Sequence, residues 1–144
     1  MRINDVVRQK PSHDVVTISP TATVRELVAL LAEHNIGAVV VSDDGEHVLG
    51  IVSERDVVRR LATDEGLLEH PVESIMTSEV HSCAGNDAVD ALMALMTQER
   101  IRHVPVLAED RLAGIISIGD VVKSRINELE FERDQLDHYV HQTP

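Results

Sequence analysis

The sequence predicts an α/β fold of the α+β kind, in which two βαββα units pack sheet to sheet with pseudo-two-fold symmetry and a C-terminal helical tail follows. Two observations carry this prediction. Residues 15–41 align with residues 80–106 without a gap, at an offset of 65. Within each copy the apolar residues follow first the helical period and then the pattern of short strands. Because neither copy is long enough to bury a good core alone, we expect the two to share one continuous core.

The first copy begins with a strand and ends with a helix. Its elements, in order, are a strand over 15–18, a helix with apolar positions 24, 27, 28, 30 and 31, strands over 38–41 and 48–52, and a helix after Ser53. Ser19-Pro20 forms the first turn, and Asn35 is a plausible end for the first helix. Asp43-Asp44-Gly45 is a turn signal between the two later strands.

The second copy repeats this order of elements. They are a strand over 80–83, a helix with apolar positions 89, 92, 93, 95 and 96, strands over 103–107 and 112–117, and a helix after Ser117. Turn-forming residues over 84–87 separate its first strand from its first helix, and Glu109-Asp110 separates the last two strands.

A short apolar segment precedes each copy, and we interpret both segments as packed connectors. The first contains Ile3, Val6 and Val7, and the second contains Val72, Ile75 and Met76 at similar spacing. The chain then divides into a first unit with its lead-in over 1–62, a linker and second lead-in over 63–79, a second unit over 80–126 and a tail over 127–144.

The tail carries a seam of residues spaced alternately by three and four positions. Its members are Ile126, Leu129, Arg133, Leu136 and Val140. Such a seam is typical of helices that pair, although two heptads are too short for an autonomous coiled coil. The tail therefore either packs on its own domain or frays, or it contacts a second copy or another partner.

Charge and composition exclude several classes of function. The chain has 144 residues, with 13 Lys and Arg against 25 Asp and Glu, for a net charge of −12. Proteins that bind nucleic acids or anionic membranes need a surplus of basic residues, and this chain has a surplus of acidic ones. We therefore expect neither as a partner. A lone cysteine, Cys83, excludes an intramolecular disulfide. No apolar run approaches the ~20 residues of a membrane span, and we expect a cytoplasmic protein.

Two motifs recur where a strand passes into the second helix of each copy. Gly50-Ile51-Val52-Ser53 corresponds to residues 114–117, and Asp56 corresponds to Asp120. Together with the string Ile-Arg-His-Val-Pro-Val over 101–106 and Ile-Met-Thr over 75–77, these motifs resemble a tandem pair of CBS domains, also called a Bateman module. The resemblance covers about residues 1–126 and leaves no enzymatic domain, so we expect no catalytic residues.

Ser53 with Asp56, and Ser117 with Asp120, admit two compatible interpretations. A serine at the helix start with an acidic residue three positions later is close to a capping box and complements the helix dipole. The same carboxylate can accept two hydrogen bonds from a ribose diol, and the free helix amides can bind a phosphate. The resemblance implies that the aspartate holds the ribose.

The remaining candidate site residues also follow from the resemblance. Thr17 and Ser82 occupy matching strand positions that lie against the adenine in the family, in a crossed arrangement that groups Thr17 with Asp120 and Ser82 with Asp56. The alternative is that these hydroxyls satisfy local backbone. Arg102 and His103 would approach the ligand phosphate.

The first copy has Gly37 and Ala38 where the second has this basic pair. We therefore expect the Asp120 site to hold the phosphate and to bind more tightly, and the Asp56 site to rely on Arg55 or on a basic residue from elsewhere.

The predicted function is a non-enzymatic regulatory module that binds an adenosine-containing ligand between its repeats. AMP is the first choice, with ATP, ADP, NADH and S-adenosylmethionine as alternatives; no cofactor is required. The apolar second helices predict a homodimer. The alternative is a structural module with vestigial sites that docks an unknown partner protein through its helices or tail. No metal site is expected, because His81 and Cys83 supply only two of the four ligands that a structural zinc needs.

Overall fold

The computed structural model describes residues 1–142, and the last two residues of the predicted tail lie outside this range. Within this range the structure has six strands and five α-helices. In order they are α1 Ile3–Arg8, β1 Thr17–Ile18, α2 Val24–His34, β2 Ala38–Val41, β3 Gly50–Ser53, α3 Glu54–Leu61, β4 Cys83–Ala84, α4 Val89–Glu99, β5 His103–Ala108, β6 Arg111–Ser117 and α5 Ile118–Gln142. Two short 3-10 helices, Leu67–Glu69 and Val72–Ser74, lie in the linker.

Each unit contains one three-stranded sheet, as predicted. The orders are β1-β2-β3 and β4-β5-β6, with the first pair parallel and the second antiparallel in both sheets. The two sheets differ at the start of their first strands: Ser82, the counterpart of Thr17, lies outside the strand that begins at Cys83. Pairing Ser82 with Pro105 would need an amide hydrogen that proline lacks, so the ladder starts one residue later.

The first helix of each unit ends on a residue in the left-handed conformation. Asn35 closes α2 at φ 52°, and Arg100 closes α4 at φ 56°. At its start, α2 has a full capping box in which Thr23 accepts a hydrogen bond from the Glu26 amide and Glu26 reaches back to the Thr23 amide. The predicted helix end at Asn35 is therefore confirmed.

The buried side chains form two separate clusters, one per unit, so the expectation of one continuous core is wrong. The sheets still face each other. All four residues of β2 are buried, but only Val39 and Val41 belong to the first cluster. Because side chains alternate along a strand, Ala38 and Val40 lie on the opposite face, toward the second unit. Pro105 of β5 is buried on the corresponding face of the other sheet.

The two lead-in segments are exchanged between the units. Ile3 and Val6 of α1 are almost completely buried in the core of the second unit, although the sequence groups them with the first. The α1 backbone is fixed there by hydrogen bonds from the Ile3 amide to the Asp87 carbonyl, 3.0 Å, and from the Asn4 amide to the Gly85 carbonyl, 2.9 Å.

The linker makes the reciprocal exchange. Its buried residues Leu67, Val72 and Ile75 belong to the core of the first unit, and the Val72 amide donates to the Ala22 carbonyl at 2.8 Å. We call this arrangement the crossed lead-ins. The division of the chain by packing therefore differs from the predicted division by sequence order, because each connector covers the unit that its chain position does not suggest.

Helix α5 joins the second unit and the predicted tail into one continuous helix. Within the described part of the tail the predicted seam is exposed: Leu129, Leu136 and Val140 are 62%, 65% and 64% exposed. No helix within residues 1–142 combines the length and the apolar character that crossing a membrane requires.

Candidate functional site

Two pockets lie between the units, each beside one of the repeated Ser-x-x-Asp motifs. We name them the Asp56 pocket and the Asp120 pocket, and their volumes are about 230 Å³ and about 570 Å³. Residues of both units line each pocket. A ligand bound in either one would therefore contact both units at once.

In both pockets the aspartate uses one carboxylate oxygen as part of the helix cap. Asp56 Oδ2 accepts hydrogen bonds from the Ser53 amide at 2.8 Å and from Ser53 Oγ at 3.2 Å. Asp120 Oδ2 accepts from the Ser117 amide at 2.9 Å, and the Asp120 amide donates to Ser117 Oγ at 3.1 Å. Within residues 1–142, Oδ1 of each aspartate has no hydrogen-bond partner. The cap and the ligand site can therefore coexist on one side chain.

The Asp56 pocket combines this helix start with segments from the linker and from the second unit. Thr77 is held in its wall by a pair of backbone hydrogen bonds with Ile51, 3.0 Å and 2.9 Å long. Four arginines also line the pocket: Arg55 and Arg59 of α3, and Arg100 and Arg102 of the loop that joins α4 to β5.

The Asp120 pocket is built from the equivalent parts with other side chains. Lys10, which follows α1, lies 3.2 Å from Asp120 Oδ2 through its Nζ and donates a 2.8 Å hydrogen bond to the Ile115 carbonyl. Asp14 and Val16 approach from the segment before β1, and Asn35 and Gly37 come from the loop that joins α2 to β2.

The placement of Arg102 overturns its expected grouping with Asp120. Arg102 lines the Asp56 pocket and is absent from the wall of the Asp120 pocket. The reason is that the loop before the middle strand of each unit points across to the motif of the other unit. Of the expected basic pair, Arg102 therefore lines the other pocket and only His103 lines the Asp120 pocket, so the expectation of tighter binding at Asp120 loses its main support.

The crossed arrangement expected for Thr17 and Ser82 is reproduced only in part. Val16, the neighbour of Thr17, lines the Asp120 pocket, so the first strand of the first unit does face the motif of the second. Thr17 itself lines neither pocket. Ser82 is exposed and outside both walls, and Thr77 occupies the corresponding region of the Asp56 pocket.

Sequence reasoning missed Lys10, Arg59 and Arg100 as pocket residues. Arg59 could have been predicted, because it lies one helical turn after Arg55 and so on the same face of the helix. Lys10 and Arg100 carried no local signal, because their positions depend on the crossed lead-in and on the crossed loop.

His103 stands between the two pockets and lines both. Burial lowers the pKa of His103 below its usual range, and the neighbouring Arg102 and Lys10 act in the same direction. The carboxylates of Asp120 and Glu54 oppose this shift without cancelling it. Near neutral pH the ring is therefore uncharged and can donate one hydrogen bond and accept another.

We expect His103 to make stability fall as the solution is acidified. Because the folded-state pKa lies below the unfolded value, the unfolded chain takes up the proton first, so this contribution is complete above about pH 6.5 and decreases below it. Denaturant unfolding at pH 5, 6, 7 and 8 should show a smaller loss of stability in His103→Asn than in the native chain. His13→Asn, at an exposed position, is the matched control and should follow the native chain. Parallel curves for the native chain and His103→Asn would contradict the expectation.

Two other groups of reactive side chains serve the local structure. Asp44, Glu46 and His47 place possible ligand atoms within 4.8 Å of one another in the exposed turn after β2. The Asp44 carboxylate is occupied there by His47 Nδ1 and by the Glu46 and His47 amides, which hold its pKa well below the usual range. Burial raises the pKa of the Cys83 thiol to about 11, so this cysteine is a poor nucleophile.

A comparison with protein family models matches both units of the fold to one family. The CBS domain family model matches residues 3–63 and 72–127. The chain belongs to the CBS-domain family. This family consists of regulatory modules rather than catalytic domains.

Solved CBS structures and a curated relative agree with this assignment. A CBS-domain-containing protein from Agrobacterium tumefaciens superposes with a TM-score of 0.83 at 46% identity, over 87% of this chain and 99% of that chain. A CBS domain protein from Pyrobaculum aerophilum, solved in complex with AMP, gives a TM-score of 0.73 at 30% identity, over 83% and 89%. A mitochondrial CBS domain-containing protein of Arabidopsis thaliana is 36% identical over 82% of this chain and 60% of its own length.

Proposed function

We propose that this CBS pair is a sensor that binds adenine nucleotides in the Asp56 and Asp120 pockets and catalyses no reaction. The observation that carries the proposal is the carboxylate oxygen Oδ1 that each aspartate leaves without a partner within residues 1–142, in a pocket between the two units. Such an oxygen accepts hydrogen bonds from a ribose diol, and the AMP complex of the Pyrobaculum relative supports an adenosine ligand.

Binding would act by changing how the two units sit against each other. Because each pocket is lined by both units, a ligand favours the arrangement in which both walls contact it. A partner that contacts both units would bind the occupied and the empty forms with different affinity. The identity of this partner and the cytoplasmic compartment stay predictions.

The test is the thermal unfolding of the full chain with AMP, ADP, ATP, NADH, S-adenosylmethionine and adenosine, each beside a phosphate-only control. A ligand at a hundred times its dissociation constant adds about 2.7 kcal/mol of stability, which is easily measured as a rise in melting temperature. No shift with any adenosine compound at millimolar concentration would refute the proposed function and would favour an interaction module with vestigial pockets.

We also propose that the module is a homodimer formed through α3 and α5. Val58 and Leu61 of α3 are 66% and 56% exposed, and Val122 and Ile126 of α5 are 47% and 49% exposed. Val58 and Val122 occupy equivalent positions in the two units, and Leu61 and Ile126 each lie about one helical turn further along, so a second copy related by a two-fold axis can bury both helices together.

Light scattering at micromolar concentration should give twice the chain mass of 15.9 kDa. The double variant Val58→Asp/Val122→Asp places charges in the proposed interface and should give the single-chain mass. Lys123→Asp, at an exposed position of α5 beside α1 residues, is the control for a charge change alone. A single-chain mass for the native protein would contradict the dimer and favour a different protein as the partner of these helices.

A further inference from the structure

The Asp56 pocket is strongly basic although the whole chain is acidic. Four arginines, Arg55, Arg59, Arg100 and Arg102, face two carboxylates in its wall. Within residues 1–142 none of these arginines forms an ion pair, whereas six other Arg and Lys side chains do: Arg8, Lys10, Arg25, Arg111, Arg125 and Arg133. With a net charge of −12 there is no shortage of carboxylates on this protein. Four unpaired guanidinium groups around one cleft therefore form a site of positive potential.

The Asp120 pocket has the opposite character. Its only side chain with a full positive charge is Lys10, and Asp14 and Asp120 are both in its wall. The Lys10 ammonium is already engaged by Asp120 and by the Ile115 carbonyl. An anionic ligand would meet no free cation among the residues that line this pocket.

The difference arises at positions that the internal repeat makes equivalent. At the repeat offsets, Arg100 corresponds to Asn35, Arg102 to Gly37 and Arg55 to Gly119. Arg100 lines only the Asp56 pocket and Asn35 only the Asp120 pocket, whereas Gly37 lines both pockets. At these three repeat positions the wall of the Asp56 pocket has arginine, and the equivalent residue of the other copy is uncharged.

Arg100 is an unfavourable residue for the position it holds. It has φ 56°, the left-handed conformation that its counterpart Asn35 adopts at φ 52°. Asparagine is among the residues that tolerate this conformation, and arginine is not. The turn itself thus gives no reason for arginine here, whereas an anion in the pocket does.

We propose that the two pockets take ligands of different charge: the Asp56 pocket a nucleoside di- or triphosphate, and the Asp120 pocket a nucleoside without net negative charge. Each arginine offers a planar fork of donors that matches phosphate oxygens, and several together can bind a chain of phosphates. This inference rests on the proposed function, since it assigns ligand classes to the same two pockets. It also replaces the expectation that the Asp120 site holds the phosphate.

The experiment is calorimetric titration of the full chain with adenosine, AMP, ADP and ATP, in the presence of a chelator to remove divalent cations. Asp56→Asn and Asp120→Asn identify which pocket each binding phase belongs to. The test variant is Arg100→Asn/Arg102→Gly, which gives the Asp56 pocket the residues found at the equivalent positions of the other loop. Both arginines are exposed, so the fold should tolerate the change.

We expect affinity at the Asp56 pocket to rise from adenosine to ATP, and affinity at the Asp120 pocket to stay level or fall. The double arginine variant should weaken ATP at the Asp56 pocket by about tenfold to a hundredfold and change adenosine by less than about threefold. The reverse variant, Asn35→Arg/Gly37→Arg, should strengthen ATP at the Asp120 pocket. A Cβ at Gly37 would meet its neighbours at 3.5 Å, which is ordinary contact.

Three results would overturn the inference while leaving the proposed function intact. They are equal loss of ATP and adenosine in the arginine variant, no dependence on phosphate number at the Asp56 pocket, and loss of the ATP phase in Asp120→Asn instead of Asp56→Asn. If the native chain binds no adenosine compound at all, the proposed function fails first and the inference falls with it.

Discussion

Asp56→Ala is expected to weaken every adenosine ligand in the Asp56 pocket by at least about a hundredfold. The carboxylate would accept two hydrogen bonds from the ribose, and a hydrogen bond to a charged group contributes roughly 1.5–3 kcal/mol. Unlike the arginine changes, this loss should be the same for adenosine and for ATP, because both carry the ribose. Asp56 also caps α3 together with Ser53, so the variant should lose some stability, about 1 kcal/mol or less.

Ser53→Ala separates the two roles of Asp56. It removes the hydroxyl at 3.2 Å from Asp56 Oδ2 but leaves Oδ1, which has no hydrogen-bond partner within residues 1–142. Calorimetry with adenosine should therefore show a much smaller loss in Ser53→Ala than in Asp56→Ala. Equal losses in the two variants would mean that the aspartate acts on binding through the helix cap alone.

Ile3→Ala is expected to destabilise the protein by about 2–5 kcal/mol, the range for truncating a fully buried isoleucine. Ile3 is 0% exposed and lies in the core of the second unit, although it is the third residue of the chain. Arg8→Ala on the same helix is the control; the side chain there is 74% exposed, and we expect a change within about 0.5 kcal/mol. Urea unfolding measures both values.

Hydrogen exchange tells which unit Ile3 supports. In Ile3→Ala, amides of α4, β5 and β6 should lose protection before those of α2, β2 and β3, because α1 belongs to the second core. Earlier loss in the first unit would contradict the crossed lead-ins. An unchanged free energy of unfolding in this variant would contradict the burial of α1 itself.

The elements of the fold could be predicted from the sequence, but the partners of those elements could not. Helical and strand periods locate the apolar faces, and the internal repeat shows each of these patterns in two copies. A hydrophobic period does not say which surface covers an apolar face, so it does not show that Ile3 packs in the core of the second unit and Val72 in the core of the first. The start of β4 was within reach of sequence reasoning, since Pro105 lacks the amide that pairing with Ser82 requires.

In the candidate site, too, the local features were predictable from the sequence and their partners were not. Asp56 and Asp120 were found because a carboxylate at a helix start is a local feature with a local signal. Arg102 was grouped with Asp120 because both belong to the second repeat, whereas it faces Asp56 across the boundary between units. The family resemblance predicts a crossed arrangement for the first strands of the repeats only. The loops before the middle strands are crossed as well, because each contributes to the pocket beside the motif of the other unit.

The crossed lead-ins set an order on folding during synthesis. The ribosome makes α1 before the second unit, and the core that receives Ile3 and Val6 includes Val121, about 120 residues later. At translation rates of about 5–20 residues per second, roughly 6–24 s separate these two events. The first unit can fold soon after Ile75 leaves the exit tunnel, while the apolar side of α1 is still exposed to solvent. A nascent chain of this protein thus exposes the apolar side of α1 until the second unit has been made, and a chaperone can bind this segment during that interval.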